Sequence, residues 1–205
     1  MRVFVLTTGR AASTTFAEAC THINGMTAGH ETHKGMVEGR LDYPDNHIES
    51  DNRLVWFLGS LDRLYADEQT FYVHLVRDPE KVASSYRERW HITVSVVRAF
   101  YHAFLMNRKK PDAETALQAC RLFVDTVEDN IRFFLKGRDN WIDVRVESLE
   151  EDFFRFMDKA GLQGDRAAIS AILNRVSNVS KRKGKRRGLF SRLQARLSSK
   201  KLDIS

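Results

Sequence analysis

The sequence predicts an α/β domain, and three observations predict it. The chain opens on Val3-Phe4-Val5-Leu6, a short apolar run, then a turn of small residues, then Phe16-Ala17-Glu18-Ala19-Cys20 with helical character. The same strand, corner and helix recur at 71–86, where Phe71-Tyr72-Val73-His74-Leu75-Val76 runs into Arg77-Asp78-Pro79. A chain of 205 residues, 42% hydrophobic and 29% charged, suits one such unit with a sizeable core.

The net charge of +6 is unevenly spread. Residues 181–205 hold ten Lys or Arg and one acidic residue, which leaves the first 180 at a net −3. The division expected is therefore a mildly acidic α/β domain over 1–180 and a basic tail over 181–205. Cys20 and Cys120 fall in helix-like apolar patterns without metal-ligand spacing, so free buried thiols and a reducing compartment are expected. No apolar run approaches the roughly 20 residues of a membrane span, and the run ending at Leu6 is too short for a secretory signal. A cytoplasmic location follows as the expectation.

Between the first strand and helix lies Thr7-Thr8-Gly9-Arg10-Ala11-Ala12-Ser13-Thr14-Thr15. A loop opening into a helix N-terminus presents unpartnered N–H groups and the positive end of the helix dipole, so it attracts oxyanions. Thr15-Phe16-Ala17-Glu18 fits a capping box and predicts a helix start near Thr15. The Arg10 cation and the hydroxyls of Ser13, Thr14 and Thr15 are in reach of an anion in the loop; an ordinary capped helix is the plainer alternative. Neither nucleotide fingerprint fits. The phosphate loop of kinases and ATPases needs Lys-Ser/Thr after its second glycine, and Gly9 is followed five positions later by Thr14 with no lysine; Gly-x-Gly-x-x-Gly is absent.

Met26-Thr27-Ala28-Gly29 predicts a short second strand that delivers His30-Glu31-Thr32-His33 to a strand end, where open α/β sheets hold ligands. Zinc, a solvated loop and an acid/base position are the three readings of that cluster. Its spacing is no recognised zinc frame, and no metal site is expected. Residues 34–52 are polar, with Gly35, Gly39 and Pro44, and read as a loop over the site. The apolar spacing of 53–64 predicts a helix, with Trp56 at its edge. At the second corner Asp78 can cap, and Pro79 suits the first helical position. Arg77 at the strand end and Ser85 two turns along the helix can converge on one phosphate; an Arg-Asp pair at a capped helix is the alternative.

Beyond it, Val96, Val97, Phe100, Tyr101, Phe104 and Leu105 form one helical stripe, and Leu117, Cys120, Val124, Val127, Ile131 and Phe134 another, both expected to be core faces. Arg108-Lys109-Lys110-Pro111-Asp112 reads as the break between them. Trp141 to Val146 alternates like a late strand; Leu149 to Ala160 reads as a helix stopped near Gly161, and Ile169, Ile172, Leu173 and Val176 as a last short one.

Arg10-Ala11-Ala12-Ser13-Thr14, a cation, two small residues and hydroxyls, resembles the 5′-phosphosulfate loop of sulfotransferases that use 3′-phosphoadenosine 5′-phosphosulfate (PAPS). The family's loop reads Lys or Arg, Ser/Thr, Gly, Ser/Thr, Ser/Thr. Arg77 followed eight positions later by Ser85 resembles the same family's 3′-phosphate motif, and Arg182-Lys183-Gly184 resembles its C-terminal Arg-Lys-Gly. The resemblance implies a three-layer αβα fold around a central parallel sheet, of the P-loop nucleotide-hydrolase-like sulfotransferase type. It further implies transfer of a sulfuryl group from PAPS, without metal, to a hydroxyl or amine, a hydroxyl of a sugar or glycolipid being the leading choice. In that reading Arg10, Ala11, Ala12, Ser13, Thr14 and Thr15 cradle the 5′ end, and Arg77, Ser85, Arg182, Lys183 and Gly184 serve the 3′-phosphate. Glu31 is the first choice of base, with His33 and His30 next. The chain departs from the pattern at Ala12, where the family has Gly, and at Ala11, where it has a hydroxyl. If that position is left-handed, alanine costs about 1–2 kcal/mol; if it only permits close approach, alanine narrows the loop.

Two other readings compete. One is a nucleotide kinase or NTPase. The other is a non-catalytic α/β binding protein acting through its tail, where Leu189, Phe190, Leu193 and Leu197 with Arg192, Arg196 and Lys200 form an amphipathic basic pattern suited to an anionic membrane surface or polymer. A small-molecule or glycan acceptor is the partner expected, and no specific nucleic acid is.

Overall fold

The structure, a computed structural model, describes residues 1–175. The expected tail at 181–205, its Arg182-Lys183-Gly184 and Val176 lie outside the described residues. Five parallel strands form one sheet in the order β2-β3-β1-β4-β5: β1 (Arg2–Leu6), β2 (Thr27–His30), β3 (His47–Ser50), β4 (Thr70–Val76) and β5 (Trp141–Arg145). Helices cover both faces, the three-layer α/β arrangement expected from the sequence.

Alternation along β1 divides the core. Val3 and Val5 face α1 (Ser13–Cys20), α6 (Leu149–Lys159) and a last helix over 166–175, with Phe16, Phe153, Phe156 and Ile169 all buried there. Phe4 and Leu6 face the other layer, α2 (Leu58–Leu64), α3 (Pro79–Glu88) and the long α5 (Ala113–Leu135). The α5 stripe expected from three-and-four spacing is there: Cys120, Val124, Val127 and Ile131 are buried. Both cysteines are free and buried, and burial pushes the Cys120 thiol up to about 12. Asp78 caps α3 by accepting from the Lys81 N–H at 2.9 Å, and Pro79 stands at its start, as the sequence indicates. No described helix is long and apolar enough to cross a membrane.

Four expectations are corrected. The stretch 34–52 is not all loop, because it contains β3, a central strand between β2 and β1. Its sequence His-Ile-Glu-Ser hides it: Glu49 is fully buried, yet its charge is satisfied by His47 Nε2 at 3.1 Å and by the Thr32 N–H at 2.9 Å. Helix α1 starts at Ser13, two residues before the capping-box position, so Thr15 lies in its first turn. The 53–64 helix is divided into a 3-10 turn, Asn52–Trp56, and α2. The stripe at 96–105 is a four-residue helix, α4 (Val96–Ala99), passing into a π turn, Phe100–Phe104; Val97, Phe100 and Tyr101 are buried, but Phe104 and Leu105 are exposed.

One polar cluster is embedded under the sheet. His74 on β4 is fully buried, with Nδ1 2.9 Å from Asp143 on the neighbouring strand and Nε2 3.2 Å from Glu128 on α5. Burial alone would lower its pKa, but the hydrogen bond to Asp143 and the charge of both carboxylates outweigh this and raise it. A pKa raised in the folded state contributes stability that is fully present below the unfolded value of about 6.5 and is lost as pH rises through the folded value. The stability difference between wild type and His74→Asn, read from urea midpoints, will therefore be larger at about pH 5.5 than at about pH 8.5. A difference independent of pH refutes this.

Candidate functional site

Register brings the functional ends of the strands together. Ser50 pairs with both Val5 and His30, so β1, β2 and β3 end side by side. The loop after β1 leaves the sheet where the strand order runs out in both directions, the position at which open α/β sheets bind ligands. In that loop Gly9, Arg10 and Ala12 have left-handed backbones, with φ of 79°, 59° and 60°. Thr7 Oγ1 accepts from the Gly9 N–H at 3.2 Å, and Tyr86 donates its hydroxyl to the Thr8 carbonyl at 2.7 Å, fixing the turn from beneath. Burial, the largest influence, raises the Tyr86 phenol far above its ordinary value, which keeps it a donor. Ala12 is the N-cap of α1 and no side chain caps that end, so its first N–H groups have no side-chain partner to satisfy them.

Ala12 is thus the left-handed case raised by the sequence. Ala12→Gly relieves about 1–2 kcal/mol of strain and returns part of it as unfolded-state entropy. A net gain of about 0.5–1 kcal/mol, a rise of about 1–4 °C in Tm, is expected by thermal denaturation.

Three guanidinium groups gather around this loop. The Arg10 Nε donates to Ser85 Oγ at 3.2 Å, and Arg89 Nη1 donates to the same oxygen at 3.0 Å. Arg77 Nη1 donates to the Arg10 carbonyl at 2.7 Å. Arg10 is pushed below the usual arginine value, first by burial and then by the charges of Arg89 and Arg77, partly offset by Tyr86. Among the described residues, no carboxylate forms an ion pair with any of the three. Because Ser85 Oγ accepts from both arginines, its own proton is left to donate. Arg77 and Ser85 do come together, through Arg10 and not by direct contact.

A cleft of about 780 Å³ opens in front of the loop. Its lining includes Arg10, Ser13, Thr14 and Arg89, with His30, Glu31, Lys34, Asn52 and Arg53, and residues of the stretch from Ile92 to Ala99. Ala11, Ala12, Thr15, Arg77 and Ser85 are not among its lining residues; Ala11 is buried in the core. Ser13 Oγ lies 3.0 Å and Thr14 Oγ1 3.4 Å from His30 Nε2. Glu31 is itself left-handed (φ 55°), its N–H bonded to the Ser50 carbonyl at 3.1 Å, and its carboxylate pairs with Arg53 at 3.0 Å and Lys34 at 4.0 Å. His33, by contrast, stacks on Tyr43 with ring centroids 4.5 Å apart and contacts the Arg40 carbonyl, away from the cleft lining. Trp56 stacks on Phe104 and Trp90 meets Tyr101 edge-on, so neither indole lines the cleft.

Sequence reasoning missed Arg89, Arg53 and Asp51. The fully buried Asp51 accepts from Arg53 Nε at 2.8 Å, the Arg53 N–H at 2.9 Å and Arg40 Nη2 at 2.6 Å, and so sets the guanidinium that holds Glu31. Burial opposes the Asp51 charge, but these donors prevail and hold its carboxyl below the usual range. The signal for Arg89 was its place one helical turn after Ser85. Among the described residues no cluster of three or more His, Cys, Asp or Glu is arranged to hold a metal ion.

No family model and no curated protein sequence matches the chain. Two solved structures share its fold. The sulfotransferase domain from the curacin biosynthetic pathway aligns at a TM-score of 0.56 and 14% identity, over 80% of this chain and 78% of that one. Mouse sulfotransferase SULT7A1, solved in complex with PAP, aligns at 0.51 and 11% identity, over 85% of this chain and 64% of its own. The five parallel strands in this order, the loop after β1 and these two likenesses together give the chain a sulfotransferase-like fold of the P-loop type.

Proposed function

We propose that the chain is a sulfotransferase that uses PAPS as donor and a hydroxyl group as acceptor. The observation that carries this reading is the cluster of Arg10 and Arg89 on Ser85 with Arg77 on the Arg10 carbonyl, like charges that add to burial in lowering the Arg10 pKa and suit an anion between them. A donor with phosphates at both ends of its ribose suits an anion site with several cations, fed also by the uncapped N-terminus of α1.

In this reading Arg10, Ser13 and Thr14 hold the phosphosulfate end, while Arg77 and Arg89 neutralise the other phosphate and Ser85 donates to it. The bond between sulfur and the bridging oxygen breaks as the acceptor oxygen bonds to sulfur. The electron pair leaves on adenosine 3′,5′-bisphosphate, where Arg10 stabilises it, and the hydroxyl proton passes to Glu31. Arg53 and Asp51 fix the direction of the Glu31 carboxylate. The acceptor class that the family resemblance implies is a sugar or glycolipid hydroxyl.

Differential thermal denaturation tests the donor half: adenosine 3′,5′-bisphosphate raises Tm, and ATP with magnesium does not. Glu31→Gln keeps that shift and loses transfer from labelled PAPS by about 10²-fold or more. Stabilisation by ATP–magnesium alone contradicts the proposal.

A further inference from the structure

A second surface is left unexplained by the cleft. The π turn at Phe100–Phe104 ends in Phe104, Leu105 and Met106, exposed by 63%, 38% and 72%. Three consecutive large apolar side chains in water are unusual for a monomer surface. Phe104 is braced from beneath by Trp56, with ring centroids 5.0 Å apart, and Leu105 and Asn107 are tied back by backbone bonds to Phe100 and Tyr101. Arg108, Lys109 and Lys110 follow directly, all exposed and without an ion pair to any described residue. The nearest acid in sequence, Asp112, is engaged in capping α5 through the Thr115 N–H at 2.7 Å.

We propose that residues 104–110 form a docking loop for an anionic phospholipid bilayer, with Phe104, Leu105 and Met106 entering the headgroup–acyl boundary and Arg108, Lys109 and Lys110 resting among lipid phosphates. An apolar tip next to cations is the arrangement that an interfacial anchor needs: the apolar part gains from leaving water, and the cations gain from the negative surface potential. A nucleic acid would use the cations but leave the aliphatic Leu105 and Met106 in water. The loop lies at 104–110 and the other basic stretch at 181–205 of the sequence, so the two contributions are separable by substitution.

Flotation of the full chain with vesicles is the test, using phosphatidylcholine alone and phosphatidylcholine with about one quarter phosphatidylglycerol. Wild type will partition onto the anionic vesicles. Leu105→Ser/Met106→Asn, which spares the Phe104–Trp56 stack, will reduce partitioning by about tenfold or more at unchanged Tm. Lys109→Glu/Lys110→Glu will reduce binding to the anionic vesicles by a similar factor. Retained binding by the apolar variant assigns attachment to the basic tail and overturns the proposal. Absence of wild-type binding overturns it as well, as does binding to a single-stranded RNA oligonucleotide with none to vesicles, or a dimer in solution that the apolar variant dissociates.

Discussion

Arg77→Ala will bind adenosine 3′,5′-bisphosphate about a hundredfold more weakly than the wild type, with Tm within about 2–4 °C. The stability side follows from what Arg77 touches within the protein: one hydrogen bond to the Arg10 carbonyl at 2.7 Å, in an exposed setting. Such a bond contributes about 1 kcal/mol or less. The binding side follows from charge. Truncating one partner of a desolvated charged contact costs about 2–5 kcal/mol, and the lower half of that range is about a hundredfold. Two routes lead from Arg77 to the ligand, and a ligand series separates them. If the guanidinium serves the 3′-phosphate, variant and wild type will bind adenosine 5′-phosphate alike and differ only for the bisphosphate, which is the outcome expected. If Arg77 acts only by holding the Arg10 carbonyl and hence the left-handed turn, both ligands will weaken equally. Isothermal titration with the two nucleotides decides between them, and equal affinity of variant and wild type for the bisphosphate removes Arg77 from the site.

What could be read in the sequence was whatever is encoded within about fifteen consecutive residues. The apolar run, small-residue turn and helix at 1–20, and the Arg77-Asp78-Pro79 corner with Ser85, carry their strand and helix signals locally, and both stand as elements, though of the two caps only that of Asp78 stands and not the Thr15 capping box. Strand β3 was not, because its burial is made favourable by partners from elsewhere. Glu49 is satisfied by His47 and by Thr32 from the turn after β2, and Asp51 by Arg40 and Arg53. A buried strand built on paired polar groups has a polar composition, so hydropathy alone assigns it to a loop. The same reason hid the Glu31 side of the cleft, since Glu31 gains its orientation from Arg53, twenty-two positions later in the chain. His33 was drawn in by its nearness to Glu31 in sequence, yet the left-handed turn at Glu31 separates them, and His33 packs on Tyr43. The exposure of Phe104 and Leu105 was illegible for a different cause. A π turn adds a residue to the helical repeat, so a stripe drawn at three-and-four spacing drifts off the core face at that point.

Gly9→Ala will destabilise the fold by about 3 kcal/mol, lowering Tm by about 6–12 °C. Two costs add. Gly9 has φ of +79°, where an L side chain is strained by about 1–2 kcal/mol. Its added Cβ would also meet the Tyr86 hydroxyl, with Asn52 Nδ2 at 2.9 Å behind it. Tyr86 cannot simply yield, because its hydroxyl holds the Thr8 carbonyl at 2.7 Å and its ring packs edge-on against Phe123, 5.4 Å between centroids. The shortest of these contacts is to the phenolic oxygen, with the Asn52 amide next, and a double-mutant cycle isolates the share that belongs to the phenol. Tyr86→Phe alone loses the buried hydrogen bond to Thr8, at about 1–2 kcal/mol. In Gly9→Ala/Tyr86→Phe the methyl group enters the space the hydroxyl has left, so the double variant will be more stable than the sum of the singles predicts by about 1 kcal/mol or more. Additive costs show that the left-handed backbone alone makes glycine necessary here. Coupling shows that the phenol sets how closely the loop packs over the sheet, and through the loop where Arg10 stands relative to Ser85 and Arg89.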